Sequence, residues 1–367
     1  MIDIEKSKEI IKSIKAHPLI QNVLIEQEYL SFSNTEIAIK IKTFKNNPIS
    51  FLFPVDKLDI LEDNISYNLE KKEIIINNTT SFPYPDKNDL QNYPLIPSFN
   101  ENEFKFITAI KVDYLKDMLS FDFSSNQEER YILQFFLFEI NEKFRIISSD
   151  GRRLAKTEIH HSSNVNTSFL VHREAIKVLK KILKILNNDN EYIGIYENER
   201  FILFKDNKND IQFFCLKTSS EYPNWKAVFP SNPICSFAFP NLKKLSKFLL
   251  QIQKIQKKKK KKIIPVQVDI EYKDYKAKIS YEDIENEMKI EQEFEIAIHS
   301  LSSSQNIHFH INPIFLNEAI KNMKNLLFFF FETNNALLLE SSKIYPNTSI
   351  NYSFLIMPHR CLCPKSE

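Results

Sequence analysis

The segment SFLVHREAIKVLKKIL, residues 168–183, decides the fold because it contains two periodicities in succession. Phe169 and Val171 lie two residues apart, as apolar residues do on one face of a β-strand. Ile176, Leu179 and Leu183 then recur at intervals of three and four residues, which is typical of an amphipathic helix. The segment therefore predicts a short strand that leads directly into a helix.

This strand–helix pattern occurs about six times along the 367 residues. The other copies are IDIEKSKEIIKSIK from Ile2, SFLFPVDKLDIL from Ser50, FKFITAIKVDYLKDML from Phe104, SFAFPNLKKLSKFLL from Ser236 and IHFHINPIFLNEAIKNM from Ile307. Between the copies, runs such as ERYILQFFLFEI, FRIISSD, RFILFKD and IQFFCLKT predict pairs or triplets of antiparallel strands.

Two repeats per domain predict an α+β protein of three similar domains, residues 1–101, 102–228 and 229–367. Proline and polar turn residues mark both junctions, near Pro97–Glu101 and Val228–Pro233. The alternative is an unrepeated α+β protein, since strands and helices alternate in many such folds.

Composition excludes several classes of protein. The chain contains only two glycines, Gly151 and Gly194, so the glycine-rich loops that cradle phosphates in P-loop and dinucleotide-binding proteins are absent. The four cysteines form no disulfide framework, and we expect reduced thiols. No run of about 18 apolar residues occurs, so we expect a cytoplasmic protein with no membrane segment.

Positive charge is concentrated in part of the chain. From Tyr222 to Val268 there are eleven lysines and no acidic residue. Lysines are interleaved with Leu and Ile in several predicted helices, which predicts ammonium groups on the outer helix faces and sequence-independent contact with phosphates. Six consecutive lysines, 257–262, predict an unpacked loop beside DNA, and a nuclear-import signal is the alternative interpretation of that run.

Three segments in register resemble one known family. IISSDGRRLAKTEI, residues 146–159, closely resembles the strand–turn–strand signature in the middle domain of the bacterial DNA polymerase III beta subunit, the sliding clamp. SSEYPNWKAVFP, residues 219–230, resembles that family's junction between the middle and last domains, and SFLIMPHR, residues 353–360, resembles its C-terminal ending. Weaker similarity continues through residues 17–41, so the resemblance covers essentially the full chain.

The resemblance implies a fold and a function. The expected fold is three pseudo-repeated DNA-clamp domains per chain, with two chains closing head to tail into a dimeric ring that has helices around a basic bore. The expected function is to encircle double-stranded DNA and hold the replicative polymerase on it, without catalysis. The implied partners are the polymerase alpha subunit, the clamp loader and repair proteins, which bind the ring through short peptide motifs.

The resemblance also implies two sets of site residues. A partner-peptide pocket between the middle and last domains would use Arg130, Leu133, Ser149, Arg152, Arg153, Leu154, Pro223, Val228, Asn312, Phe315, Leu355, Ile356, Met357, Pro358, His359 and Arg360. Within it, we expect an apolar floor of Leu154, Val228, Leu355 and Met357 and a polar rim of Arg153 and Asn312. The DNA set is Tyr131 by the resemblance, together with Lys6, Lys12, Lys177, Lys181, Lys243 and Lys247 by charge.

The sequence also departs from the family pattern. A glycine-rich loop with a DNA-contacting arginine is shortened here to KAHPLI, residues 15–20, Ala227 replaces an arginine, and Arg152 stands where histidine is common. The chain continues beyond Arg360 as CLCPKSE, and we hypothesise that this tail lies across the pocket and competes with partner peptides. Pro83 and Pro85 near a first-domain edge strand predict weak pairing across the subunit boundary.

Other classes of function have little support in the sequence. His160 and His161 adjoin and His308 and His310 alternate, but no second ligand pair stands at zinc-site spacing, so no metal, cofactor or catalytic residue is predicted. A lysine-rich nucleic-acid-processing enzyme would need a carboxylate cluster or a phosphate loop. A divergent or accessory clamp paralogue with altered partner binding is the closer alternative.

Overall fold

The structure is a computed structural model. It describes residues 1–15, 20–45, 50–62, 64–68, 70–83, 87–125, 127–161, 165–186, 191–206, 208, 210–258, 264–302, 306–321, 323, 325–331 and 336–358.

Helices form at most of the predicted positions. They are α1 (Ile4–Lys12), α2 (Lys87–Asn92), α3 (Val112–Met118), α4 (Arg173–Ile185), α5 (Leu242–Lys258) and α6 (Pro313–Ile320). The copies that begin at Phe104, Ser168, Ser236 and Ile307 contain a strand followed by α3, α4, α5 and α6, respectively, as predicted. The copy from Ile2 contains α1 but no strand before it. Helix α2 was not predicted.

The copy from Ser50 differs from the prediction. It forms a strand and then a six-residue 3-10 helix, Val55–Ile60, instead of an α-helix. Pro54 precedes that helix and supplies no side-chain cap, and Leu61 returns to extended backbone. A 3-10 helix has poorer hydrogen-bond geometry than an α-helix and stays short, which explains why the element ends within two turns.

The strands are short and numerous. They are β1 (Asn22–Glu26), β2 (Tyr29–Ser33), β3 (Ile37–Lys42), β4 (Phe51–Pro54), β5 (Ile65–Asn68), β6 (Glu73–Ile76), β7 (Thr80–Pro83), β8 (Lys105–Lys111), β9 (Phe135–Ile140), β10 (Lys143–Ser149), β11 (Arg153–His160), β12 (Thr167–His172), β13 (Tyr192–Glu197), β14 (Phe201–Asp206), β15 (Ile211–Leu216), β16 (Cys235–Ala238), β17 (Val266–Glu271), β18 (Lys276–Asp283), β19 (Met288–Glu295), β20 (Ala297–Leu301), β21 (Ile307–Ile311), β22 (Leu327–Phe330), β23 (Leu337–Tyr345) and β24 (Thr348–Ile356).

The chain forms two compact units. The first comprises residues 1–120, 135–142 and 161–220. Its largest sheet is antiparallel, in the order β4-β1-β2-β3-β15-β14-β13-β8, and a smaller sheet has the order β5-β6-β7. Strands β3 and β15 join, which places residues far apart in sequence in one sheet. Helix α4 packs against α1 and α3 and buries an apolar face that includes Ile176, Leu179 and Leu183, as the periodicity predicted.

The second unit comprises residues 121–134, 143–160 and 221–367. Within it, one sheet has the order β10-β11-β24-β23-β22-β16-β20, and another has the order β19-β18-β17-β21. Helices α5 and α6 pack against each other. Strand β24 pairs with β11 along its length, from Arg153 opposite Ile356 to Ile159 opposite Ile350. This pairing brings the predicted signature and the predicted C-terminal motif side by side.

The run ERYILQFFLFEI is only partly a strand. Residues Glu128–Gln134 form a kinked 3-10 segment, and the strand begins at Phe135. The backbone N–H of Ser125 donates to the carbonyl of Leu133, and the side-chain amide of Gln134 donates to the carbonyl of Gln127. These bonds fold the segment back on itself, so Arg130 and Leu133 project from a turn and not from a strand.

Candidate functional site

A cavity of about 230 Å³ lies in the second unit, beside the start of β11 and the end of β24. Nine of the predicted pocket residues line it: Leu133, Ser149, Arg152, Arg153, Leu154, Pro223, Val228, Leu355 and Met357. Segments separated by more than 200 residues in sequence thus contribute to one concave, mostly apolar surface. Apolar cavities with a few polar groups are the common form of ligand and peptide sites.

The turn between β10 and β11, Ser149–Arg153, forms one wall and is held by its own hydrogen bonds. The Asp150 carboxylate accepts from the backbone N–H groups of Arg152 and Arg153 at 2.9 and 3.1 Å. The Ser149 hydroxyl accepts from the Gly151 N–H at 3.0 Å and donates to the Arg153 carbonyl at 2.8 Å. Asp150 is therefore a turn-forming residue.

Gly151 has a backbone requirement that explains its retention in a chain with two glycines. Its φ is +81°, a conformation that other residues rarely adopt. A Cβ at this position would lie 2.4 Å from Nη1 of Arg130, which itself donates to the Asp150 carbonyl at 2.6 Å. The Arg130 guanidinium therefore reaches the Asp150 carbonyl across the space that a side chain at position 151 would occupy.

The Arg153 guanidinium lies between two aromatic rings. Its central carbon is 4.2 Å from the ring centroids of both Phe123 and Phe315. Its Nε donates to Asp150 at 3.0 Å, Nη1 pairs with Glu318, and the side chain is only 13% exposed. Stacking and charge-assisted hydrogen bonds hold a planar guanidinium in one orientation. Arg153 thus fixes the wall of the cavity, whereas we expected it as a polar rim.

Asn312 and Val228 also differ from their expected positions. Asn312 is 5% exposed, and its side-chain oxygen accepts from the N–H of Ile314 as the N-cap of α6, so it does not form a rim. Val228 is 44% exposed and lies at the edge of the cavity instead of its floor. The floor is provided by Leu154 and Leu355, which are 5% and 1% exposed.

The other described residues of the predicted pocket do not line the cavity. Ile356 is fully buried in β24, and Phe315 contacts the Arg153 guanidinium. The N–H of Met357 donates to the Arg152 carbonyl at 2.9 Å, which extends the pairing of β24 past its last residue and leads the chain to Pro358. His359, Arg360 and the tail that follows lie outside the described residues.

Comparison with known proteins gives a consistent result for the fold. No family model matches the sequence, and no curated protein matches it by sequence. A solved DNA polymerase III beta subunit from Thermotoga maritima is 16% identical with a TM-score of 0.78, and the match covers 98% of this chain and 97% of that chain. The beta subunit of DNA polymerase from Streptococcus pyogenes is 16% identical with a TM-score of 0.78, covering 98% and 99% of the two chains. A DNA polymerase III subunit beta sliding clamp from Bartonella birtlesii, solved bound to griselimycin, is 16% identical with a TM-score of 0.76, covering 98% of each.

The chain has the sliding-clamp fold. Each match covers nearly all of this chain and nearly all of the solved chain, so the similarity is not limited to one shared domain. The expected α+β fold class is thereby confirmed.

Four residues that line the cavity were not predicted as pocket residues: Gly151, Tyr222, Asn224 and Trp225. Tyr222, Asn224 and Trp225 flank the predicted Pro223, so their signal was their position in the junction motif. Burial raises the pKa of the Tyr222 phenol above its ordinary value, so the hydroxyl stays protonated at neutral pH.

The predicted DNA residues lie on the surface of the two units, with different surroundings. Tyr131 is 57% exposed. Lys12 pairs with Asp59, Lys177 with Glu174 at 2.7 Å, and Lys181 lies 3.9 Å from Glu9. Lys6, Lys243 and Lys247 are exposed and make no ion pair with the described residues. The lysine run 257–262 lies largely outside the described residues.

The described residues show few features of a metal-binding or membrane-spanning protein. Among them, no group of three or more His, Cys, Asp or Glu side chains could hold a metal ion. His308 pairs with Asp269 at 2.7 Å and packs edge-on against His310. No helix in this part of the chain is long and apolar enough to cross a membrane.

Proposed function

We propose that this protein is a DNA sliding clamp, a non-catalytic, cytoplasmic processivity factor that encircles duplex DNA and tethers a replicative polymerase. The observation that carries the proposal is the match of about 98% of the chain to clamps across nearly their full length. A ring suits a weak and unspecific DNA contact, because topology keeps the ring on DNA while loose phosphate contacts let it slide.

We propose that two copies of the chain close head to tail into this ring, each contributing three domains with boundaries near residues 101 and 228. Strand β7 ends at Pro83 and lies at the edge of its sheet, and a proline there offers no N–H to a partner strand. Light scattering across a dilution series tests the ring. A dimer of the 43.4 kDa chain is expected, with a dissociation constant high enough to be measured, and a monomer at every concentration would contradict it.

The cavity is the proposed site for partner peptides of the polymerase, loader and repair proteins. Its floor is apolar, Val228 and Arg152 are exposed at its edge, and its wall is fixed by the turn 149–153. The Bartonella birtlesii clamp was solved bound to griselimycin, which supports a ligand-accepting surface on this fold. We propose that the 361–367 tail competes for the same cavity, which deletion of Leu362–Glu367 tests through a rise in peptide affinity.

One substitution pair tests the cavity. Val228→Asp places a charge at its apolar edge, and we expect at least about tenfold weaker binding of a labelled peptide with an apolar C-terminus, measured by fluorescence polarisation, because desolvating an unpaired carboxylate is costly. Ile344→Asp is the matched control, because Ile344 is also an exposed aliphatic residue of the second unit, 83% exposed, at a hairpin tip. Equal affinities of both variants would contradict the assignment.

A divergent or accessory clamp paralogue is the second candidate function. It is favoured by the low identity to the solved clamps and by two departures from the family pattern, Arg152 in the cavity lining and Ala227 next to the lining residue Val228. If the wild-type ring forms but binds no peptide from any replication partner, this second candidate is supported over the first.

A further inference from the structure

The helices of the strand–helix repeats carry unequal charge. Helix α1 has three lysines against two glutamates, and Asp3 caps it. The 3-10 helix Val55–Ile60 has one lysine against two aspartates, α3 has one lysine against two aspartates, and α6 has one glutamate and no lysine. With Asp3 counted against α1, positive charge is in excess only on α4 and α5 among these elements. The repeat therefore does not present a uniform basic surface.

Two of the three lysines of α1 are paired with neighbouring carboxylates. Lys8 is 2% exposed and donates to Glu5 at 2.6 Å and to the carbonyl of Asp59. Lys12 pairs with Asp59, and the shared hydrogen bond holds the pKa of that carboxyl below its usual range. The two glutamates of α1 are themselves exposed, so its outer face is close to neutral at pH 7.

Helix α4 is intermediate between these cases. It carries four lysines and one arginine against Glu174. Lys177 pairs with Glu174 within the helix, and Lys181 lies near Glu9 of α1. Two of the lysines of α4 therefore lie beside carboxylates of the same unit.

Helix α5 combines high charge with no acidic residue along its 17 residues. Lys243, Lys247 and Lys254 are exposed and make no ion pair with the described residues. At about 100° and 1.5 Å per residue, these three fall on one face and span about 16 Å along the axis. The opposite face is apolar, with Leu245, Leu249 and Ile252 fully buried. The result is a fixed row of ammonium groups on a rigid helix.

We infer that this α5 row, Lys243, Lys247 and Lys254, carries most of the phosphate contact of the ring, and that the first-repeat helix α1 contributes little. The inference rests on the proposed DNA-clamp function and assigns its charge contact unevenly among the repeats. Each lysine that neutralises a phosphate displaces a condensed counterion, so an unpaired lysine contributes fully, while a lysine already held by a carboxylate contributes less.

Two matched triple variants test this. Lys243→Gln, Lys247→Gln and Lys254→Gln remove the α5 row, and Lys6→Gln, Lys12→Gln and Lys15→Gln remove the same charge from α1 and the residues that follow it. Binding of the full-length protein to a fluorescent 30-base-pair duplex would be followed by anisotropy across a potassium chloride series. For the α5 variant, the slope of log affinity against log salt should fall by about 2 to 3, since each contact contributes about 0.9, and affinity near 100 mM salt should fall at least about tenfold.

The outcomes separate the inference from the function. The α1 variant should lose only about 1 in slope or less, because Lys12 is already held by Asp59 and Lys6 lies beside the exposed Asp3, Glu5 and Glu9, which leaves Lys15 as the main contributor. Equal losses for both variants, or a larger loss for α1, would overturn the uneven assignment while leaving the clamp function intact. If the wild-type protein binds no duplex at any salt concentration, the inferred phosphate contact fails, whereas the ring itself is tested separately by the dilution series. Equal thermal denaturation midpoints for the three proteins ensure that lost binding is not lost folding.

Discussion

The turn Ser149–Arg153 and the outer face of α5 represent two ways in which a sequence specifies a site. In the turn, the side chains of Ser149, Asp150 and Arg153 have defined partners, and Gly151 and Arg153 occupy positions that other residues fill poorly. On α5, Lys243, Lys247 and Lys254 have exposed side chains and are defined by charge and spacing alone. The first kind of site is tied to fold stability, whereas the second is independent of it.

The strongest test of this difference replaces one cation by methionine in the turn and one cation by methionine on α5. Arg153→Met removes a nearly buried cation and leaves Asp150 and Glu318 without it, so we expect the free energy of unfolding to fall by about 2 to 4 kcal/mol. Lys247→Met on α5 should change it by less than about 0.5 kcal/mol. Urea denaturation measures both, and similar values for the two variants would remove the distinction.

A conservative substitution refines the role of Arg153. Arg153→Lys keeps the charge but loses the planar group that stacks between Phe123 and Phe315. We expect the free energy of unfolding of Arg153→Lys to lie between those of the wild type and Arg153→Met. A variant as stable as the wild type would show that charge alone, and not stacking, holds the turn.

A smaller effect is expected at Gly151. Gly151→Ala should cost about 2 kcal/mol, because alanine is strained at positive φ and its Cβ displaces Arg130 from the Asp150 carbonyl. In an Arg130→Ala background, the contact is already gone, and only about 1 kcal/mol from φ should remain. Equal costs in both backgrounds would mean that Arg130 plays no part in the turn.

The smallest effect concerns a carboxylate that pairs with cations, in contrast to the acid-free α5. Glu158 on β11 is nearly buried, which opposes ionisation, but Lys143, Arg145 and Lys156 lie 2.9, 3.2 and 3.7 Å away and hold its pKa below the ordinary 4.5. The ionised Glu158 carboxylate stabilises the folded protein fully above pH 4.5. This contribution is lost as the pH falls through the lower pKa that the group has in the folded state.

Urea midpoints between pH 6 and pH 3 measure this dependence. Glu158→Gln should flatten the decline at the acidic end, since glutamine does not titrate. An unchanged slope in that variant would show that other carboxyl groups cause the acid sensitivity.

Much of this fold followed from local patterns in the sequence. The strand–helix repeat predicted α1, α3, α4, α5 and α6 because the apolar spacing on each is strong. The turn at residues 149–153 was implied by the resemblance of residues 146–159 to the family's strand–turn–strand signature. The 3-10 segments at Val55–Ile60 and Glu128–Gln134 were not, because their sequences contain apolar spacings that suit longer elements.

The site was less predictable than the fold, because side-chain partners come from distant segments. Asn312 is polar and adjoins the motif region, yet it caps α6, which depends on Pro313 following it. Arg153 has a sequence neighbour at Asp150, but Phe123, Phe315 and Glu318 could be placed around it only in three dimensions. The burial of Lys8 did have a local signal, since it lies four residues after Ile4 and three before Ile11 on the apolar face of α1.

The pairing of β11 with β24 has a consequence for biosynthesis. Strand β11 is complete at His160, but β24 begins only at Thr348. At about 5 to 20 residues per second, a ribosome needs roughly 10 to 40 seconds to make the intervening chain. During that interval, one edge of β11 has no partner from β24, so the nascent chain exposes a hydrogen-bonding strand edge until β24 has been synthesised. We therefore expect this chain to depend on chaperones during synthesis more than its final stability would suggest.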